Sequence, residues 1–355
     1  MAAGEAVDRP PFTLYQRWPV SFMSGESLAT MCYAFAEHMQ LDLVVVPLGF
    51  GYPLAPQHSF DRPVDLSELE KVHGNSGVWG KQIHALQRVV KANFGKRWVL
   101  QEVPSPWTML EELAGRDLVL RTLREYSGFL RRALEALSDS LASFVRYAVE
   151  SGAQGILYRN SQASFDIMTH KEYALWGEPF DAKVAAALRG STFNVAQFVG
   201  PKPYLRDLAA SPFQAIGWSV VHGPKLENSP SRWEGPLFGG LDETRFNGSL
   251  ATLRSHTQEV LRDGPLTNWL LSSGEPVPPD VMLTKLEALR DAVLQYRIKI
   301  PRADDGSAPN GAELRKPRKR REEYERPAPP QREAPKPVPG ARTRIVGSKA
   351  PEEAS

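Results

Sequence analysis

The sequence predicts an α/β chain folded as a single (β/α)8 TIM barrel over residues 1–302, with a disordered tail over residues 303–355. Short apolar runs alternate with longer segments of helical periodicity, the pattern of a parallel sheet whose strands are joined through helices. Two of these runs, ending near Phe238 and Leu271, are followed at once by Gly, Ser or Pro and then by a helical pattern. In a parallel barrel such loops line the face that carries the active site. The run count approaches eight, and about 300 residues suits one such barrel.

The elements follow in order. An irregular first strand is expected near Thr13–Phe22. Leu28, Met31, Cys32, Phe35 and Met39 then trace a helical stripe, with Ser24 as N-cap and Glu26 in the first turn. Leu41–Pro47 reads as a buried strand, Leu66–Val72 and Lys81–Phe94 as helices, and Arg97–Val103 as the next strand. The longest periodic segment, Ser127–Ser151, stops at Gly152, where a left-handed glycine can end a helix. Gly155–Tyr158 is a short strand and Arg159–Asp166 a polar loop. Further strands are expected at Phe193–Val199, Phe213–Trp218, Gly235–Phe238 and Thr267–Leu271, interleaved with helices at Pro201–Ala210, Ser249–Arg262 and Asp280–Tyr296.

Composition narrows the function classes. The formal net charge of the 355 residues is +2, but residues 303–355 hold twelve Lys or Arg against nine Asp or Glu, which leaves the barrel near −1. A near-neutral barrel lacks the basic field of a nucleic-acid binder. Cys32 is the only cysteine, so neither an intrachain disulfide nor a cysteine-cluster metal site can form. The first eleven residues carry Glu5, Asp8 and two prolines and no apolar core of a secretory signal. No run approaches the roughly 18 apolar residues of a membrane helix. A cytoplasmic location is expected.

Several segments in order resemble the uroporphyrinogen decarboxylase superfamily, which includes the corrinoid-linked methyltransferases. They are Leu41–Val46, Pro104–Thr108 with Leu113-Ala114-Gly115, Ala148–Ile156, Met168–Tyr173, Gly217-Trp218, Gly239–Asp242 and Ser273–Asp280. The resemblance implies a barrel with its pocket at the strand C-terminal ends and cofactor-free decarboxylation of a tetrapyrrole-like polycarboxylate, in which the protonated pyrrole acts as electron sink. It also implies arginines near the N-terminus and an acid after an early strand. Gln16-Arg17-Trp18 retains one such arginine, and Leu48-Gly49-Phe50-Gly51-Tyr52 after the early strand holds no acid. The methyltransferase branch implies a zinc on a His-X-Cys pair and a later cysteine; Gln197, Val199 and Glu275 stand at those positions, so no metal is expected.

The candidate catalytic groups are Glu275, His222 and Asp242, chosen as titratable residues after expected strands. The candidate substrate-binding residues are Arg17, Tyr52, Gln101, Tyr158, Asn160, Gln197, Trp218, Gly239 and Gly240. Expected partners are a small tetrapyrrole-like substrate, a corrinoid protein under the methyltransferase alternative and a second copy of the chain in a homodimer, and neither nucleic acid nor membrane; a barrel that binds a tetrapyrrole or small acid without catalysis is the third alternative.

The tail is rich in Pro, Arg, Lys and Glu and includes Arg315-Lys316-Pro317-Arg318-Lys319-Arg320-Arg321, a composition that cannot bury enough apolar surface to offset ordering entropy. Ending the chain at Ala303 should therefore leave the melting temperature unchanged, and limited proteolysis should remove the tail first. A fall of several degrees on truncation would contradict the boundary.

Overall fold

In the computed structural model, residues 8–18, 23–55, 58–204, 213–228, 233–265 and 267–297 are described. The chain divides into two units, Met1–Lys299 and Ile300–Ser355. The second unit, and with it the expectation for the tail, lies outside the described residues.

The first unit begins with α1 (Gly25–His38), capped by Ser24, whose hydroxyl accepts the Ser27 amide. It continues through β1 (Leu43–Val46), the short α2 (Pro63–Leu66), α3 (Gly77–Asn93) and β2 (Trp98–Pro104). Next come α4 (Pro106–Ala114), α5 (Arg116–Glu125), α6 (Ser127–Glu150) and β3 (Gly155–Asn160). Then follow α7 (His170–Trp176), α8 (Glu178–Ala185), β4 (Val195–Phe198), β5 (Ala215–Trp218), β6 (Leu237–Leu241), α9 (Leu250–Asp263), β7 (Trp269–Ser273) and α10 (Leu283–Gln295).

The seven strands form one parallel sheet in the order of the sequence. The eighth stave is not a regular strand. Instead, an extended segment bridges the two edges: Leu271 donates its amide to Pro11 and Thr13 donates back to Leu271, while Asp42 donates to Phe12 on the β1 side. Isolated parallel bridges at Phe12–Leu271 and Gln16–Val277 mark the same path, which makes a TIM-like barrel of seven strands and one irregular stave. Asp42 secures the seam, since its carboxylate takes the Phe12 amide at 2.8 Å and pairs with Arg9.

Strand residues alternate between two environments, as the pleat requires. Tyr15, Leu43, Val45, Leu100, Leu157, Val195, Ala215, Phe238 and Leu270 pack together as one cluster inside the barrel. Their neighbours Val44, Val46, Val99, Ile156, Ala196, Ile216 and Leu271 join the larger cluster between sheet and helices.

Four expectations are corrected. The helix expected at Leu66–Val72 ends at Leu66, because Ser140 and Ser143 of α6 accept the amides of Val72 and Gly74 and draw that stretch out of helical geometry. Arg159 and Asn160 are not in a loop but complete β3, in register with Gln197 and Phe198. Of the helix expected at Pro201–Ala210, residues 201–204 are non-helical, with Pro203 bridged to Ser164, and the remainder lies outside the described residues. Gly239 and Gly240, expected to start a loop, belong to β6 with φ of 130° and 110°, values that L side chains rarely adopt.

If the N-terminal segment closes the barrel, Phe12, which is fully buried, is part of the core. Phe12→Ala should lower the unfolding free energy by about 3–5 kcal/mol in urea titrations. A loss below about 1 kcal/mol, the size of an ordinary surface change, would show that the seam is dispensable.

Candidate active site

Directly above the apolar cluster, toward the strand C-termini, the next inward register is polar. Two residues beyond Tyr15, Leu100, Leu157, Val195, Ala215 and Leu270 stand Arg17, Glu102, Arg159, Gln197, Gly217 and Ser272. One side of this layer carries long polar chains and the other carries a glycine and a serine.

Glu102 is the hub of the crowded side. Its carboxylate is fully buried and accepts Arg17 Nε at 3.0 Å, Arg159 Nε at 3.1 Å and the Leu48 amide at 3.0 Å. Burial alone would raise this carboxyl, but Arg17 and Arg159 reverse the effect and hold it below the usual glutamate range. The arginines are raised above their ordinary value by the same pairing, although burial opposes their charge. Glu112, from α4 and partly open to solvent, spans both guanidinium groups, at 3.3 Å from Arg17 and in direct contact with Arg159. Gln197 is fixed at both ends of its amide, accepting the Tyr15 hydroxyl at 2.9 Å and donating to the Gly274 carbonyl.

The other side is built by the loops after β5, β6 and β7. Ser219 donates to Glu243, and Gly274 lies so close to Ser219 that a Cβ would come within 2.2 Å of its Cα. The next residue, Glu275, is half-buried. Burial raises its carboxyl to about 7, with Arg159 and Arg17 opposing and Glu243 and Glu102 reinforcing the rise. It is thus a carboxyl able to give or take a proton near neutrality, beside two arginines.

The structure brings Arg17, Gln197 and Glu275 of the candidate residues together and disperses the others. Gln101, Tyr158, Asn160 and Trp218 each adjoin an inward residue, so the pleat turns them toward the helices. Gln101 bonds Gln82 and the Val46 carbonyl, and Trp218 donates to the Pro224 carbonyl at 2.7 Å. Tyr158 and Asn160 bond Asp181 of α8 at 2.5 and 2.8 Å, together with Tyr173. Burial raises Asp181 to about 6 against those three hydrogen bonds, and Asn160 Oδ1 also takes the amides of Gln162 and Ala163. This cluster braces the loop after β3. Tyr52 packs edge-on to Trp79 and donates to the Glu70 carbonyl, within the outer layer. His222 is exposed.

Asp242 is engaged by the turn that follows β6. It caps the turn Glu243–Asn247 through the Thr244 amide and pairs with Arg245. Burial would raise it, but these bonds hold it below the usual range. It lines a cavity of about 240 Å³ with His256, Glu259 and Val260 of α9, on the outer side of β6. Gly239 and Gly240 contribute backbone only; Gly239 accepts the Trp269 indole at 3.0 Å.

The residues that the strand-end criterion missed are Glu102, Arg159, Glu112, Glu243 and Ser272. For the first two a signal existed, since each is a charge in an apolar strand two places beyond an inward leucine. The thiolate zinc of the methyltransferase branch does not fit: both ends of the Gln197 amide are engaged, Val199 has no donor and Cys32 is buried on α1. Among the described residues no three His, Cys, Asp or Glu side chains are grouped as metal ligands. No described helix is long and apolar enough to cross a membrane.

A carboxyl raised by folding costs stability as pH climbs from its ordinary value of 4.5 to about 7, because only the unfolded chain ionises freely in that window. Glu275→Gln removes this cost. The variant should melt above wild type at pH 8 and close to it at pH 4.5; equal melting temperatures at pH 8 would place Glu275 in water.

Residues 27–296 match the uroporphyrinogen decarboxylase (URO-D) family. Comparison with curated proteins gives no match. Among solved structures, a methyltransferase from Methanosarcina mazei superposes with a TM-score of 0.64 at 18% identity, over 82% of this chain and 95% of that one. A B12-independent methionine synthase from Shewanella sp. W3-18-1 gives 0.51 at 11% identity, over 81% and 98%. At these identities the likeness is one of fold. The family match covers most of the barrel, and the chain belongs to the uroporphyrinogen decarboxylase family.

Proposed function

We propose that the barrel mouth is the active site of a carboxy-lyase acting on a carboxylated small molecule, with Glu275 as its proton donor. The observation that carries this reading is a carboxyl raised to about 7 within the field of two arginines. Glu112 lies across both guanidinium groups and is partly exposed, so a substrate carboxylate can take its place on Arg17 and Arg159. A second carboxylate of the substrate then leaves as CO2. The electron pair of the broken C–C bond is held by the substrate's own unsaturated or protonated ring system. Glu275 supplies the proton to that carbon and regains one from water.

The family supports a tetrapyrrole of the uroporphyrinogen type as the first substrate to test. Two arginines shared among Glu102, Glu112 and Glu275 are few cations for many carboxylates, which favours a substrate with few of them. The methyl-transfer alternative, with a corrinoid partner, would have to work without thiolate zinc. A homodimer is compatible with either reading.

The test is anaerobic incubation with uroporphyrinogen and, separately, with small carboxylic acids, measuring CO2 and separating products by carboxylate number. Wild type should release CO2 from at least one substrate, and Glu275→Gln should be slower by about a hundredfold to a thousandfold. Binding without CO2 release would replace the enzyme by a binding barrel. Failure to bind or convert any of them would favour methyl transfer.

A further inference from the structure

β6 outruns its neighbours: its last pair with β5 is at Gly239 and its last pair with β7 is at Leu241. The amide of the next residue, Asp242, therefore meets no strand, and a backbone N–H drawn away from water needs an acceptor. His256 supplies it. On α9, which packs against β6, His256 shares a face with Leu253, Thr257 and Val260 at the three- and four-residue spacing of a helix. Its Nε2 accepts the Asp242 amide at 2.9 Å. A backbone amide can only donate, so Nε2 carries the lone pair, and the ring is the neutral tautomer with its proton on Nδ1.

The turn that begins at this bond is itself tied to a second loop. Asp242 accepts the Thr244 amide at 2.9 Å and Arg245 Nε at 3.1 Å, and the neighbouring Glu243 takes the Ser219 hydroxyl of the loop after β5. A proton on Nε2 would set two donors against each other, so an imidazolium has to leave the Asp242 amide. The charged groups around the ring are Asp242 and Arg245 from the turn, Glu259 and Asp263 from α9 itself, and Lys225 from the β5–β6 connection. α10 also packs on α9 but places no residue in the cavity of about 240 Å³ that these groups share. Burial holds His256 below its ordinary value, with Arg245 and Lys225 assisting and Asp242 and Glu259 opposing.

We propose that His256 is a pH-sensitive clamp on the turn after β6, holding the Asp242 amide while the imidazole is neutral and releasing it when Nε2 takes a proton. Release loosens the turn that carries Glu243, and with it the tie to Ser219. The clamp's contribution is complete above 6.5, the ordinary histidine value, and is lost as the pH falls below it, because the unfolded chain then binds the proton more readily than the folded one. The clamp is independent of the reaction proposed for the mouth.

The full chain labelled with 15N-histidine reports the ring, and among its seven histidines the His256 signal is the one missing in His256→Gln. At pH 8 NMR should show the proton on Nδ1, and the midpoint of titration should lie below 6.5. Hydrogen exchange read by mass spectrometry over residues 238–248, corrected for the intrinsic pH dependence of exchange, follows the turn. Wild-type protection should fall about tenfold between pH 8 and pH 5, the effect of one lost hydrogen bond. His256→Gln, whose side-chain carbonyl accepts an amide at either pH, should keep its protection at both. His256→Phe, checked for folding by circular dichroism, should lack it at both. A proton on Nε2 at pH 8, a ring still neutral at pH 5, or wild-type protection that stays constant while the ring titrates overturns the clamp. An equal fall in His256→Gln, or full protection in His256→Phe, overturns it as well.

Discussion

The burial of Glu102 between two arginines is the constraint on which the mouth of this barrel depends. Taking a carboxylate out of water costs several kcal/mol even in a relaxed protein interior, and only close pairing and complete hydrogen bonding offset it. Glu102 has both: two guanidinium groups and a backbone amide meet its oxygens. The arrangement couples three staves, since Arg17 comes from the N-terminal segment, Glu102 from β2 and Arg159 from β3. Breaking any of the pairs would strand a charge in the interior, so the irregular stave is held in place by electrostatics as well as by Phe12. Glu112 covers both guanidinium groups on their outer side, and the Arg17 side chain remains one third exposed.

The electrostatics of the site follow from that arrangement. Glu102 and Glu112 already answer the two arginines, so Glu275 and Glu243 add acid to a neutralised cluster. Burial then sets the outcome for Glu275, whose proton is held to near neutrality. Asp181 reaches about 6 by burial as well, yet three donors engage it and its role is to brace a loop. Two raised carboxyls thus have different uses, and their hydrogen-bond partners separate them. An acid saturated by donors holds structure, whereas a half-buried one such as Glu275 can exchange a proton with a ligand.

Much of this was legible in the residues. The helix caps at Ser24 and Gly152, the strand runs and the placing of Glu275 after a strand follow from local pattern, whereas Arg17 and Gln197 enter through the family resemblance. Gln101, Tyr158, Asn160 and Trp218 went astray because closeness to a strand end was weighed without the pleat, which decides between interior and helix layer. Counting by twos from Leu100 and Leu157 leads to Glu102 and Arg159. Glu112 and Glu243 were not legible in that way, since α4 and the turn after β6 reach the mouth only through tertiary packing. The short α2 was hidden for a related reason: the serines of α6 that end it lie about seventy residues away.

The central claim is that Glu275 is a protonatable carboxyl enclosed in the mouth of the barrel, poised near neutral pH. Its most direct test is a carboxyl titration by difference infrared or 13C NMR spectroscopy, with the signal assigned by its absence in Glu275→Gln. A midpoint near 7 supports the account. A midpoint near 4.5, the ordinary value for a solvated glutamate, would contradict it.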